Sequence, residues 1–260
     1  MNKKYFTPKK IHAYLRAAIQ LVFFLFLPSA FTTAFSGIKS VLTQIGAGNP
    51  IAWSSFLTVL LALCAYTIVF GRFFCGYACA FGTLGDAVHS LYLFLCKKCK
   101  KKPLLLKKSW KKPLSYLKYA VLLAVVLLCF LGVYGDLTGW SPWDVFSMLR
   151  SGNFKVGAYW LGCILLVLIL VGMVFCERFF CRFLCPMGAV FSLLPILPFF
   201  SVRRKREKCA KGCTACEKVC PSDLSLPEDG SWNVSGDCFQ CQKCLEICPK
   251  KNAKSSIRNF

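Results

Sequence analysis

Hydrophobic positions in this chain gather into long runs, broken by short polar and basic stretches. Four runs approach the length of a membrane span: about Ala13–Phe35, Ile51–Phe74, Leu117–Tyr134 and Ala158–Phe175. A spanning helix needs ~20 mainly apolar residues, so each run predicts a transmembrane helix. Phe81–Leu95 and Met187–Phe200 are apolar but shorter. They predict re-entrant or interfacial helices, the second kinked at Pro195 and Pro198. From Arg203 onward the pattern turns polar and predicts a small soluble module.

Basic residues orient these runs. Lys and Arg cluster at Asn2–Lys10, Lys97–Lys112 and Arg203–Lys211, and such clusters accumulate on the cytoplasmic side of a membrane. Both termini and the Lys-rich stretch between the second and third runs are therefore expected in the cytosol. The segments expected outside, around Ser36–Asn49 and Gly135–Asn153, carry few Lys or Arg. The first run follows several lysines, but it is long for a cleaved signal peptide and reads as a helix.

The chain repeats itself. Arg72-Phe-Phe-Cys75 recurs as Arg178-Phe-Phe-Cys181. Each copy continues as C-x3-C, then a glycine three residues later (Gly82, Gly188), then a short apolar stretch. Each half runs in, out and back in, so the halves share an orientation. A pseudo-two-fold axis along the membrane normal would relate them, as in parallel transporter repeats. The predicted fold is mainly α. A polytopic helical membrane domain over 1–202 holds four transmembrane helices and two re-entrant or interfacial helices. Its two parallel repeats cover about 11–95 and 113–200. A small soluble α+β domain follows at 203–260.

Composition sharpens this picture. Of 260 residues, 56% are hydrophobic, above the ~45–50% usual for soluble domains. The formal net charge of +22 would raise nucleic acid as a partner if it were spread over a soluble surface. It lies instead in blocks beside apolar runs, where it attracts anionic lipid headgroups; nucleic acid is not expected. Eighteen cysteines would make a disulfide scaffold in a short secreted chain. Here most stand two to four residues apart, several before proline, the spacing of ligands for soft metal sites. Such thiolates must stay reduced, which again points to the cytosol.

The strongest motif is Cys238-x2-Cys241-x2-Cys244-x3-Cys248-Pro249, the bacterial ferredoxin run for a [4Fe–4S] cluster. A zinc knuckle would use two close pairs around one tetrahedral ion; four close cysteines followed by proline fit it poorly. The partner run is Cys209-x3-Cys213-x2-Cys216-x3-Cys220-Pro221, with one extra residue in its first gap. Gly212 would allow the wider loop. The fourth cysteine of each run ligates the other cluster. One cluster then takes Cys209, Cys213, Cys216 and Cys248, and the other takes Cys238, Cys241, Cys244 and Cys220, which makes 203–260 a small α+β ferredoxin-like domain with two [4Fe–4S] clusters. Cys209 is the ligand that the pattern defines least.

Cys75-x3-Cys79 and Cys181-x3-Cys185 form a second signal. At i and i+4 on a helix, both thiols of a pair would share a face. Buried free cysteines are often packing residues. Repetition in both halves favours the other reading, four thiolates meeting at the inner membrane edge around a third iron–sulfur site. Arg72 and Arg178 would offset its negative charge, or else snorkel to the interface. Cys96-x2-Cys99, among lysines, reads as incidental or reactive. Cys64, Cys129 and Cys163 read as packing residues, and Cys176 is ambiguous. His12 and His89 are candidate haem or quinone contacts, or simply structural. No nucleophile–base pair, phosphate loop or carboxylate pair points to hydrolysis or group transfer.

GRFFCGYACAFG, ERFFCRFLCPMG and the tandem tail cysteines together resemble the NapH/NosR-type polyferredoxins, a family that also includes the CcoG oxidase-assembly proteins. The resemblance runs from about Arg72 to Pro249. It departs at Ala80, where the family favours proline, and in the Cys209–Cys213 gap. It implies electron transfer between a quinol or cytosolic donor and a partner redox protein. Expected partners are lipids, an acidic cytosolic donor docking on the basic inner surface, and a flavin- or haem-bearing extracytoplasmic protein. The alternative implied by CcoG is a metal-reducing maturation or sensing role.

Overall fold

The computed structural model describes residues 8–26, 30–135, 141–154, 157–195, 197, 201–250 and 252–255. Residues 1–7 of the N-terminal basic block, 136–140 of an expected outer segment, and Pro198 lie outside the described residues, as does the side chain of His12. The first half runs α1 (Pro8–Phe26), α2 (Ala30–Gly46), α3 (Ser55–Phe70), α4 (Phe73–Tyr77) and α5 (Ala80–Lys98). Helix α6 (Lys108–Leu114) leads into the second half: α7 (Leu117–Phe130), α8 (Pro142–Arg150), α9 (Trp160–Phe175), α10 (Phe179–Phe183) and α11 (Pro186–Leu193). The tail holds β1 (Val202–Lys205), α12 (Ala215–Lys218), β2 (Asp229–Trp232), α13 (Lys243–Ile247) and β3 (Lys254–Ser255).

The halves pack in matching pairs. Helix α2 lies on α3 as α8 lies on α9, and α1 lies on α5 as α7 lies on α11. Helix α5 then crosses to α9 and α10 and joins the halves. Local signals set the ends. Ser54 caps α3 by accepting from the Leu57 amide, and Gly71, at φ 65°, stops it before Arg72; positive φ is open to glycine at no steric cost. Ser141 caps α8, with Pro142 in its first turn, where the missing N–H costs nothing.

Two expectations change here. The described parts of the run Ala13–Phe35 fall in α1 and α2, with 27–29 outside the described residues, and the expected outer segment Ser36–Asn49 is largely helical. Helix α2 is polar enough to read as a loop, yet Gly37 lets it lie directly on α3. A Cβ there would come within 2.5 Å of the Phe56 carbonyl oxygen. Lys39 is accommodated on the Phe35 and Tyr134 rings, 5.2 and 4.9 Å from their centroids.

The spans also shorten. Among the described residues, Ser109–Phe130 is the one helical stretch long and apolar enough to cross a membrane, at 22 residues. Helices α3 and α9, at 16 residues each, reach roughly 24 Å at ~1.5 Å per residue, short of a ~30 Å apolar core. Helix α9 turns Ile164, Leu165, Val167, Leu168 and Val171 outward, so its exposed surface is as apolar as its buried one.

The tail is a three-stranded antiparallel sheet in the order β2-β1-β3 with two short helices. Arg203 pairs with Trp232 across β1 and β2, its guanidinium 4.5 Å over the indole. Its small core is Val202, Cys216, Leu226, Leu245 and Ala253, with Cys244 and Cys248 packed against it.

Candidate functional site

Helices α4 and α10 each carry the first cysteine of a C-x3-C motif, Cys75 and Cys181. The second cysteine stands beyond the helix end, as Cys79 at the N-cap of α5 and Cys185 at the N-cap of α11. The expected shared helical face therefore does not form. Pro186 in the first turn of α11 explains the break in the second half, because proline fixes φ and lacks an N–H. In the first half Cys79 makes the same break with an extended backbone, φ −70° and ψ 124°, without a proline.

The four thiols nevertheless lie together at a seam between the halves. Cys79 and Cys181 are hydrogen-bonded across it. A Cβ on Gly82 would meet the Cys75 carbonyl oxygen at 2.7 Å and Cys181 Sγ at 3.9 Å, so glycine leaves space where the motifs converge. All four cysteines are buried. Burial pushes the Cys75 and Cys185 thiols up, while the hydrogen bond from Cys181 holds the Cys79 thiol down. A bound cation reverses that penalty, because a coordinating thiol is deprotonated outright.

Two arginines clasp the seam reciprocally. Arg178, from the second half, donates to the Cys75 and Gly76 carbonyls of the first, both at 2.9 Å. Arg72, from the first half, reaches the Cys181 carbonyl of the second at 3.4 Å. Arg178 is fully buried, takes the left-handed backbone at φ 56°, and forks onto Asp86 at 2.9 and 2.6 Å. Gln20 donates to the same carboxylate at 2.9 Å. Burial alone would raise Asp86, but the Arg178 guanidinium holds its carboxyl well below the usual carboxylate range. Removing one partner of such a buried pair typically costs ~3–5 kcal/mol.

The tail seats directly on this seam. A Cβ on Gly76 would come within 2.4 Å of the Phe239 carbonyl oxygen. The Phe239 ring lies under both guanidiniums, 4.6 Å from Arg72 and 5.1 Å from Arg178. Arg16 donates to the Cys241 carbonyl at 3.2 Å. Arg182 donates to the Pro221 carbonyl at 2.7 Å and to Asp223 at 2.6 Å. Asp237 binds Lys118 and, at 3.5 Å, Arg72, and Lys243 pairs with Glu177. In the repeated motif Gly76 and Arg182 hold equivalent positions. One receives the loop after Cys238, and the other receives the loop after Cys220.

Within the tail, Cys220, Cys238, Cys241 and Cys244 line one small cavity. Burial pushes Cys238 up to about 12 and raises Cys220 as well. Gln240 and Gln242 take positive φ, 51° and 58°, wrapping the loop around that cavity. On the other side Asn252 bridges Cys209 and Cys248. Its side-chain amide donates to Cys209 Sγ and its backbone N–H to Cys248 Sγ, both at 3.2 Å. Arg204 donates to Cys216 Sγ at 3.0 Å. Gly212 lies in the widened gap at φ 69°. Among the described residues, no three His, Cys, Asp or Glu side chains close around a single metal ion. The seam thiols and the Cys220, Cys238, Cys241 and Cys244 set, beside buried Arg72 and Arg178, fit a polynuclear cluster, whose iron atoms each take one thiolate.

Sequence reasoning did not find Asp86 or Phe239. Asp86 carried a signal, as the lone acid within the apolar stretch Phe81–Leu95; a buried charge needs a partner. Phe239 carried none, because an aromatic inside a ligand loop looks like any other spacer. His89 donates Nδ1–H to the Val174 carbonyl at 3.0 Å and ties α5 to α9. Cys96 and Cys99 lie at the exposed end of α5, away from the seam. Cys176 is buried where α9 ends.

A family model described as a 4Fe-4S binding domain matches residues 52–113 and 158–206, the stretches that contain the two C-x3-C motifs. The chain is 31% identical over 237 residues to an uncharacterized protein of Methanocaldococcus jannaschii, covering 90% of each. It is 27% identical over 205 residues to the ferredoxin-type protein NapH of Haemophilus influenzae, covering 74% of this chain and 65% of that one. It is 28% identical over 203 residues to the methylamine utilization ferredoxin-type protein MauN of Paracoccus denitrificans, with the same coverage of 74% and 65%. No solved structure matches the chain.

Proposed function

The chain belongs to the NapH/NosR-type polyferredoxin family, and on that premise we propose that it is an electron-transfer protein of the cytoplasmic membrane. In this reading the two tail sets hold [4Fe–4S] clusters: an outer set of Cys209, Cys213, Cys216 and Cys248, and an inner set of Cys220, Cys238, Cys241 and Cys244. Cys75, Cys79, Cys181 and Cys185 hold a third cluster, with Arg72 and Arg178 as counter-charges. The observation that carries the reading is the seating of Phe239 on Gly76, which stacks the inner tail loop on the seam thiols. Bound clusters supply one-electron chemistry; these residues supply position, counter-charge and exclusion of water.

The membrane reading rests on Ser109–Phe130, on the outward apolar faces of α3 and α9, and on the basic blocks beside them. The four spans, the two parallel repeats and the cytosolic termini belong to this proposal. So do the partners: an acidic cytosolic carrier or a quinol on one side and a flavin- or haem-bearing protein on the other. Iron and sulfide counts on anaerobically purified protein test the site assignment. Three cubanes give about twelve of each and two give about eight. The double variant C75S/C181S should lose one third of the iron and one reduced-state EPR signal. Zinc without sulfide would overturn the proposal, and unchanged iron in the double variant would reject the seam site.

A further inference from the structure

Arg178 touches both ends of the junction between the seam and the tail. Its guanidinium bonds to the Cys75 and Gly76 carbonyls on the seam side and lies 5.1 Å over Phe239 on the tail side. The thiols of Cys75 and Cys79 from one half, Cys181 from the other, and Cys241 from the tail all lie within its Coulombic reach. Arg178 is fully buried, so water screens none of these interactions well. Among the described residues its carboxylate partner is Asp86, which sits on α5 and takes part in neither thiol set. The outer tail set is served by different groups, Arg204 on Cys216 and Asn252 on Cys209 and Cys248.

We infer that Arg178 is a positioning residue shared by the seam set and the inner tail set. Its charge, balanced by Asp86, ties their two potentials together, and Phe239 holds the inner loop at the seam. The order of the relay follows: outer tail set, inner tail set, seam. The inference rests on the proposed reading that both sets hold clusters. The step it serves moves one electron between the two sets, so one side is oxidised as the other is reduced. Arg178 stays protonated throughout and gives up no proton.

Redox titration of the full chain, followed by EPR, tests this with two variants of opposite sign. A positive charge beside a thiolate-held cluster favours its reduced form. Arg178→Gln should therefore lower the midpoints of the seam and inner-tail signals together. Asp86→Asn leaves the arginine uncompensated and should raise both together. Each shift should reach at least a tenfold change in the reduced-to-oxidised ratio at fixed potential, 59 mV for a one-electron couple. The outer-tail signal should stay in place in both variants. If Arg178→Gln fails to accumulate, Asp86→Asn decides alone, since the carbonyl bonds and the Phe239 contact of Arg178 remain. Movement of only one signal, of all three, or of none at full iron content would overturn the shared role. A wild-type protein with two clusters instead of three would fail the site assignment itself, and the inference with it.

Discussion

Gly76 is the residue on which the tail's seating turns. A Cβ at this position would lie 2.4 Å from the Phe239 carbonyl oxygen, a backbone atom that no rotamer change can move aside. Gly76→Ala should therefore lift the inner loop off the seam and destabilise the docked state by roughly 1–3 kcal/mol, the usual cost of overpacking. Limited trypsin digestion reads this as faster cleavage in the basic stretch Arg203–Lys208, with tail iron retained. Gly157→Ala is the control, since a Cβ there meets nothing within 4 Å. Cleavage at the wild-type rate in Gly76→Ala would show that the tail does not depend on this contact. The neighbouring left-handed Arg178, at φ 56°, is a similar case. Such a backbone is uncommon for a non-glycine residue, and here the Asp86 fork and two carbonyl bonds hold it in place.

At the scale of elements, the tail turns on how its last loop is tied back. Asn252 lies between the final cysteine and β3, and its side chain also donates to the Lys205 carbonyl at the end of β1. It thereby draws Cys248 and Cys209 to one place although 39 residues of sequence separate them (248 − 209). Hydrogen bonds to cluster sulfurs raise reduction potential and resist cluster loss. Asn252→Ala should lower the midpoint of the outer-tail signal and make that cluster the first lost in air. A wild-type rate of bleaching would show that the bridge is dispensable. Helices α4 and α10 show how elements move thiols that sequence spacing alone misplaces. The five-residue helix and the break after it put the second cysteine at the start of a new helix, where its sulfur lies at an amide-rich N-terminus. In α11 the Gly188 N–H donates to Cys185 Sγ at 3.1 Å.

At the scale of the whole molecule, the tail and the helical halves depend on each other. The tail's own core is small, and a chain segment below ~70–80 residues rarely gains more than ~3–5 kcal/mol from its core alone. Its acids meet the basic underside of the halves instead: Asp237 with Lys118 and Arg72, Asp223 with Arg182 and Lys111. Part of the basic inner surface expected to dock a partner is thus used internally. The proposed orientation puts Cys99, exposed at the end of α5, in the cytosol. A membrane-impermeant maleimide should label it in inside-out vesicles and not in intact cells, with Cys99→Ser as the control. Labelling in intact cells would reverse the orientation.

Much of this was legible in the residues. The tandem cysteine runs, the repeated Arg-Phe-Phe-Cys motif and the apolar runs are local patterns, and local patterns determine the helical class and the family and nominate the donor set. Helix ends and helix pairing were not legible. Gly71, Cys79 and Gly37 act through packing that the one-dimensional pattern does not carry, so α2 read as a loop and the C-x3-C pairs as single helical faces. The sequence also named Arg72 and Arg178 as counter-charges to the thiolates, but not the carbonyls, carboxylate and ring that hold them. Only tertiary structure brought Asp86, Phe239 and Gly76 to the same point. They are 92, 61 and 102 residues from Arg178 (178 − 86, 239 − 178, 178 − 76), and neither periodicity nor spacing links them to it. A buried guanidinium needs partners from every side, and those partners come from whichever elements the fold delivers there.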